Sequence, residues 1–248
     1  MKKSLLKKIS GGGFAALNST LRRFGYRVDR FDQVDFFEPL LYKRLRRSPD
    51  FFFVQIGAND GVFADPIRNF VTRNHAAGLV VEPLKDFFQK LVLNYRDFPK
   101  VKPVNVALHS TLRSIQLHRV DPAKAGAAQD WAQGIASIRE EHHRINAVPD
   151  EVMMTETVPA ITLTELLDQH SVSQLDLLQV DTEGYDFEIL QMIDFQRIKP
   201  AIIHFEHGLP AGTMSIEQFQ RCTGRLMEHG YYIITEPYDA IAYQPGML

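Results

Sequence analysis

From residue 51 onward the chain alternates two patterns. Short unbroken apolar runs, "FFFVQIG", "AAGLVVEP", "VKPVNVAL", "LDLLQVD", "AIIHFEHG" and "YYIITEP", are spaced by stretches of helical character over 62–74, 84–97, 185–195 and 215–229. A strand with one face in water alternates apolar and polar residues. A strand that is apolar throughout is covered on both faces, and such strands joined through helices build a mostly parallel sheet. The pattern predicts a doubly wound α/β domain over residues 51–248. "SIQLHRV" reads as an extra strand. Residues 121–150 then break the rhythm, with Pro, Gly, Ala and His and the only tryptophan, Trp131. Structureless stretches of that length inside a compact domain are uncommon and often serve as lids or binding loops. A lid-like insertion is expected there, with Trp131 a candidate substrate contact; a passive surface insertion is the alternative.

Residues 1–50 read as a separate, basic N-terminal helical extension. Phe14, Leu17, Leu21 and Phe24 recur at helical spacing and Gly25 offers a stop, which predicts a short helix over 14–24; "DFFEPLLYKRLRR" predicts another. The net charge of −2 hides an asymmetry. Residues 1–50 hold 12 of the 28 Lys and Arg but 5 of the 30 Asp and Glu, a net +7 against −9 for the remainder. Such an arm is drawn to polyanions, for example an acidic membrane surface; a solvated tail is the plainer reading. The charge of the rest opposes phosphate, so no nucleic-acid partner is expected. Lys7, Lys8 and "GGG" at 11–13 interrupt any signal-peptide pattern, and no stretch approaches the roughly 18 apolar residues of a spanning helix. The single cysteine, Cys222, excludes an intramolecular disulfide. A cytoplasmic protein, at most membrane-associated through its arm, is expected.

The first apolar run ends in "VQIGANDGVF", where Gly57 and Gly61 would let a ligand approach the backbone. Twenty-one residues past Gly61 comes Glu82, at the end of "GLVVEP", a spacing at which an acid can accept hydrogen bonds from both hydroxyls of a ribose. A phosphate-binding turn would read G-x-G-x-x-G or G-x-x-x-x-G-K-[ST]. "GANDGVF" has neither and supplies Asp60, which repels pyrophosphate and suits a cation. S-adenosylmethionine carries a ribose, an amino group and a sulfonium and no phosphate, so it fits; a purely structural turn is the alternative.

"VQIGANDG", "VVEP", "VNVAL", "LLQVDTEGYDFEIL" and "IIHFEHG", in this order and spacing over about residues 51–208, resemble the FkbM-type branch of class I S-adenosylmethionine-dependent methyltransferases. Most specific is "LLQVDTEGYDFEIL", similar to the family's DxEGxExEVL block. The resemblance implies a Rossmann-like sheet of about seven strands and O-methylation, commonly of sugar hydroxyls in glycans, glycolipids or glycosylated natural products. It implies that Gly57, Asn59, Asp60 and Gly61 cradle the methionine part, that Glu82 holds the ribose, and that Asn105 lies on the adenine side. Ser137 in "GIASI" resembles a serine of a similar family element near the substrate. Asp186 replaces the usual Glu, and Gln179 the Lys that often precedes the Asp.

In a parallel sheet the carboxyl ends of the strands line the ligand crevice, so Asp181 after "LLQV" and Glu206 after "IIHF" should face the same opening as Asp60 and Glu82. Two such carboxylates can take a proton from a hydroxyl, anchor hydroxyls, or bind a divalent cation. His207, just beyond the strand, is the histidine candidate for a general base, while His204 is expected as a packed strand residue. The plainer reading of Asp181 is a cap on the helix near Tyr185, and Glu183 and Asp186 read as helix-start charges. His142 and His143 read equally as a solvated helix face or a substrate contact. The expectation is an S-adenosylmethionine-dependent methyltransferase acting on a sugar hydroxyl, with Asp181, Glu206 and His207 as catalytic candidates. The rivals are a nicotinamide-dependent oxidoreductase, whose glycine fingerprint and Tyr/Lys set are missing, and a non-catalytic binding module.

Overall fold

The computed structural model describes residues 20, 35–127, 134, 136–145 and 147–248. Trp131 and, apart from Thr20, the helix predicted over 14–24 lie outside the described residues. The chain divides into two compact units, Met1–Pro39 and Leu40–Leu248. In chain order the elements are α1 (Phe37–Arg47), β1 (Phe52–Ile56), α2 (Arg68–Asn74), β2 (Ala77–Val81), α3 (Lys85–Tyr95), β3 (Val101–Val104), β4 (Ala107–Leu108), β5 (Ser114–Val120), β6 (Ala136–Ser137), α4 (His142–Ile145), β7 (Met153–Ile161), α5 (Leu163–Gln169), β8 (Leu177–Val180), α6 (Asp186–Gln191), β9 (Ile202–Glu206), α7 (Ile216–Glu228), β10 (Tyr232–Thr235) and β11 (Asp239–Tyr243).

The apolar runs become a seven-stranded sheet of order β10-β11-β9-β8-β1-β2-β3. The β9-β8-β1-β2-β3 portion is parallel, and β11 runs antiparallel to both its neighbours. On one face Val54, Ile56, Leu178, Val180, Ile203 and Phe205 pack against Leu163 and Leu166 of α5, Ile189 and Leu190 of α6, and Leu226 of α7. Each such side chain contributes roughly 1.5–3 kcal/mol on burial, which is why these strands tolerate so few polar positions. The exceptions fall in one row. Register pairs Gln55 with Gln179 and Gln179 with His204 across β1, β8 and β9, and all three are buried.

Three departures from the sequence reading have local causes. "VKPVNVAL" is two strands, because Asn105 bends the chain by donating to the carbonyls of Glu82 and Pro83 at 2.8 and 2.9 Å. β3 then stays with β2, while β4 joins a second sheet of order β4-β7-β5-β6. The helix expected over 62–74 begins only at Arg68, because Asp65 Oδ1 accepts from the N–H groups of Ile67 and Arg68 and turns the preceding residues. Within the 121–150 insertion, β6 joins the second sheet, pairing antiparallel to β5. β7, β11 and α5 went unpredicted. β7 is half exposed and pairs with β5 over seven residues. α5 carries a Thr162–Glu165 capping box, a signal present in the sequence as T-x-x-E.

Candidate functional site

The carboxyl ends of β1, β2 and β8, together with the second sheet, enclose a cleft of about 1120 Å³ including its open mouth. Its lining is of two kinds. Leu84, Phe87, Ile115 and Leu117 cluster with one another as an apolar stretch of the lining, and Gln55, Asn59, Asp65, Glu82, Gln179 and Asp181 supply its polar groups. A concave site with an apolar body and a few convergent polar groups is the usual form of a small-molecule pocket.

Gly57, Asn59 and Glu82 line the cleft; Asp60, Gly61 and Asn105 do not. The glycines answer to the protein's own packing rather than to a ligand. Gly57 has φ +80°, and a Cβ there would collide with the backbone carbonyl of Asp181, so the ends of β1 and β8 can meet only with glycine at this point. A Cβ on Gly61 would lie 2.6 Å from Leu91 and 2.7 Å from Tyr95 of α3. Asp60 likewise builds the turn: its Oδ1 accepts from the N–H groups of Val62 and Phe63. Asn59 donates its backbone N–H to Glu82 Oε2 at 2.9 Å, and Leu84 N–H reaches Glu82 Oε1 at 2.8 Å. Burial outweighs these bonds and pushes the Glu82 carboxyl up to about 7. Asn105 acts at one remove, holding the loop that carries Glu82.

Asp181 follows β8 and stands on the cleft wall, open to solvent through the mouth. Loss of surrounding water, then repulsion from Asp186, Glu183, Asp239 and Asp65, raises its carboxyl well above the usual range. Glu206 ends β9, the neighbouring strand, and is pushed up to about 9 by burial and then by Asp181, Asp186, Glu183 and Asp239. Glu206 is not among the residues that line the cleft. His207 is a correction. Its Nδ1 accepts from Leu209 N–H and its Nε2 faces the Glu236 carbonyl, both at 3.1 Å, which assigns the proton to Nε2 and leaves neither nitrogen for a substrate. It is buried edge-on against Phe219 and does not line the cleft.

The acids of the block after β8 also take unexpected parts. Tyr185, not Asp181, is the N-cap of α6, and it makes no side-chain cap bond. Asp186 is buried, accepts from Thr182 N–H and Oγ, and is pushed up to about 6 by burial. Glu183 is no helix-start charge: it has φ +53°, lines the cleft, and ties down the insertion. Its carboxylate meets His142 Nε2 at 2.8 Å, and its carbonyl accepts from Ser137 Oγ at 2.6 Å. The Ser137 hydroxyl is therefore spent on a clasp, and the residue does not line the cleft. His142 and His143 are both buried, His143 against Asp150 at 2.6 Å, so the solvated helix face is overturned. The sequence put a possible metal on Asp181 and Glu206. Among the described residues the ligand atoms that gather within 4.8 Å of one another are those of His204, Glu236 and Asp239.

The apolar stretch suits an aromatic ring, the buried Glu82 suits hydroxyl donors, and the acids beyond it suit a cation, which together fit S-adenosylmethionine. The Methyltransferase FkbM domain family matches residues 55–233. No curated protein matches the chain. Among solved structures, the N-terminal domain of human METTL16, in complex with SAH, is 13% identical with a TM-score of 0.42, covering 94% of this chain and 81% of that one. The human methyltransferase 10 domain containing protein is 14% identical, with a TM-score of 0.42 over 94% and 95% of the two chains. Precorrin-6y C5,15-methyltransferase from Geobacter metallireducens GS-15 is 13% identical, with a TM-score of 0.39 over 88% and 93%. The match over residues 55–233 and the cleft at the strand ends lead to one identity: the chain belongs to the FkbM family of S-adenosylmethionine-dependent methyltransferases.

Proposed function

We propose that the protein transfers a methyl group to a hydroxyl oxygen, that of a sugar in a glycan, glycolipid or glycosylated metabolite. The observation that carries this reading is the position of Asp181 on the cleft wall at the end of β8, with Glu206 at the end of the neighbouring strand just outside the lining. S-adenosylmethionine, when bound, supplies an activated methyl on a sulfonium. The apolar stretch would hold its adenine and Glu82 its ribose hydroxyls. What remains for the protein is to orient an acceptor oxygen, accept its proton and exclude water.

Asp181 suits the proton step. A cation in the cleft favours its carboxylate form, and once that positive charge is consumed, the thinned hydration of the cleft wall and then four neighbouring acids favour the protonated form. The group would take a proton as the methyl leaves and keep it afterwards. Glu206 serves as second acceptor or anchor for hydroxyls, or the two together hold a divalent cation that acidifies the nucleophile. A hydroxyl-rich acceptor matches a site bounded by acceptors, and the clasp of Glu183 with His142 and Ser137 would keep the insertion closed over it. The same reading has the protein working in the cytoplasm, its basic arm drawn to an anionic membrane that carries a lipid-linked acceptor. Family membership sets the nicotinamide alternative aside.

The test is transfer of labelled methyl from S-adenosylmethionine to fractionated cell glycans and glycolipids, with and without chelator. Label in a sugar ether is expected. Label confined to protein, nucleic acid or amines sinks the reading. Loss on chelation, restored by added metal, would make the carboxylate pair metal ligands; insensitivity leaves them as base and anchor.

A further inference from the structure

The insertion reaches across the cleft and is anchored on both sides of it. On one side β6 pairs with β5, and Ala136 and Ile138 line the cleft while packing against Leu84, Phe87, Ile115 and Leu117, the apolar stretch proposed for adenine. Gly134 also lines the cleft and abuts the turn after β1: a Cβ there would lie 2.5 Å from Asn59 Nδ2. On the other side the anchors are side-chain bonds. Ser137, 1% exposed, donates its hydroxyl to the Glu183 carbonyl at 2.6 Å and accepts from Arg139 N–H at 3.1 Å. Arg139 donates to the Thr213 carbonyl in the loop after β9, and His142 Nε2 meets the Glu183 carboxylate at 2.8 Å.

Burial follows this bridge. Leu84, Phe87, Ile115 and Leu117 are all buried, whereas Asp181, on the same cleft, is exposed. The mouth therefore opens beside Asp181, and a ring seated on the apolar stretch lies under Ala136 and Ile138. Glu183, which takes the far-side bonds, has φ +53° and is followed by Gly184 at φ +106°. Non-glycine residues persist in that conformation where surrounding contacts hold them, and they gather at functional sites. We propose that Ser137 and His142 are positioning residues for the cofactor: through Glu183 they hold the insertion as a roof over the adenine, and the clasp opens each time S-adenosylhomocysteine leaves and S-adenosylmethionine enters. This rests on the S-adenosylmethionine reading above and deepens it, since the insertion then serves the cofactor as well as the acceptor.

The proposal is tested by surface plasmon resonance on the full chain with S-adenosylhomocysteine, which reads association and dissociation rates separately. Ser137→Ala removes one anchor and should raise both rates by about three- to tenfold, the weight of one hydrogen bond, with Kd held within about twofold. Glu183→Gln keeps the carbonyl that accepts from Ser137 and weakens only the contact with His142. It should move both rates the same way by a smaller factor, and it carries the test if Ser137→Ala does not fold. A segment that merely shapes the pocket gives another pattern: faster dissociation, association unchanged or slower, and a weaker Kd. That pattern, or wild-type rates in either folded variant, overturns the proposal. Wild type that binds no S-adenosylhomocysteine overturns the cofactor reading itself, a distinct result.

Discussion

Two aspartates bracket the same four-residue strand and live in opposite environments. Asp176, just before β8, is fully buried; its Oδ1 accepts from Arg44 Nε at 2.6 Å and its Oδ2 from Phe52 N–H at 2.7 Å. Asp181, just after β8, faces a cleft among other acids, and its carboxyl is driven upward by loss of water and by repulsion. One carboxylate has all its needs met and fastens α1 and β1 to the sheet. The other stands exposed on the cleft wall among like charges. The difference separates two uses of a buried-strand end: the amino end of β8 is closed by pairing at Asp176, and its carboxyl end gathers like charges around Asp181.

Substitutions at the two ends should therefore separate. Asp181→Asn should lower the methyl-transfer rate by about a hundredfold or more, the usual weight of a positioned base, with melting temperature unchanged or raised because a repelled group is gone. Loss of stability there would break the contrast. Asp176→Ala should do the reverse. It strands the Arg44 guanidinium, which costs roughly 3–5 kcal/mol in denaturant unfolding, while cofactor affinity per folded molecule stays near wild type.

The carboxyl end also sets a pH dependence. Asp186, Glu82 and Glu206 are raised in the folded state to about 6, 7 and 9, so over the interval from their unfolded values near 4 to these values the folded protein holds protons that the unfolded chain has released. Stability of the ligand-free protein should fall as pH rises through this window, each group contributing up to about 1.4 kcal/mol per pH unit, with Glu206 alone of these three acting between 7 and 9. Glu206→Gln should flatten the upper part of the curve, read as melting temperature against pH; an unchanged slope would mean that Glu206 is not raised. The smallest effect is expected at the clasp. Ser137→Ala removes the bond to the Glu183 carbonyl and should cost about 1 kcal/mol, with local hydrogen exchange in the insertion rising first.

Much of the scaffold was legible because burial on both faces leaves long apolar runs: β1, β2, β8 and β9 are visible in "FFFVQIG", "GLVV", "LLQV" and "IIHF". β7 was not, because a half-exposed strand such as "MMTETVPAI" has an apolar signal on one face only. The cleft wall was legible at Glu82 and Asp181, where an acid ends an apolar run. It was illegible where a side chain's partner comes from far along the chain. His207 looked like a free base until Leu209 and Glu236 took its nitrogens, Glu183 looked like a helix charge until His142 met it 41 residues away, and Asp60 looked like a ligand group until it closed its own turn. Gln55 and Gln179 are visible in the sequence as polar residues inside apolar runs, but that they lie side by side follows only from the pairing of β1 with β8.

The central claim is that Asp181 is held ready for a cation, and proton release on binding tests it most directly. Calorimetric titrations near pH 7, repeated in buffers of different ionisation enthalpy, count the protons exchanged by S-adenosylmethionine, which carries the sulfonium, and by S-adenosylhomocysteine, which does not. The account predicts greater proton release with S-adenosylmethionine, and loss of that excess in Asp181→Asn. Equal proton release for the two ligands in the wild-type protein would contradict it.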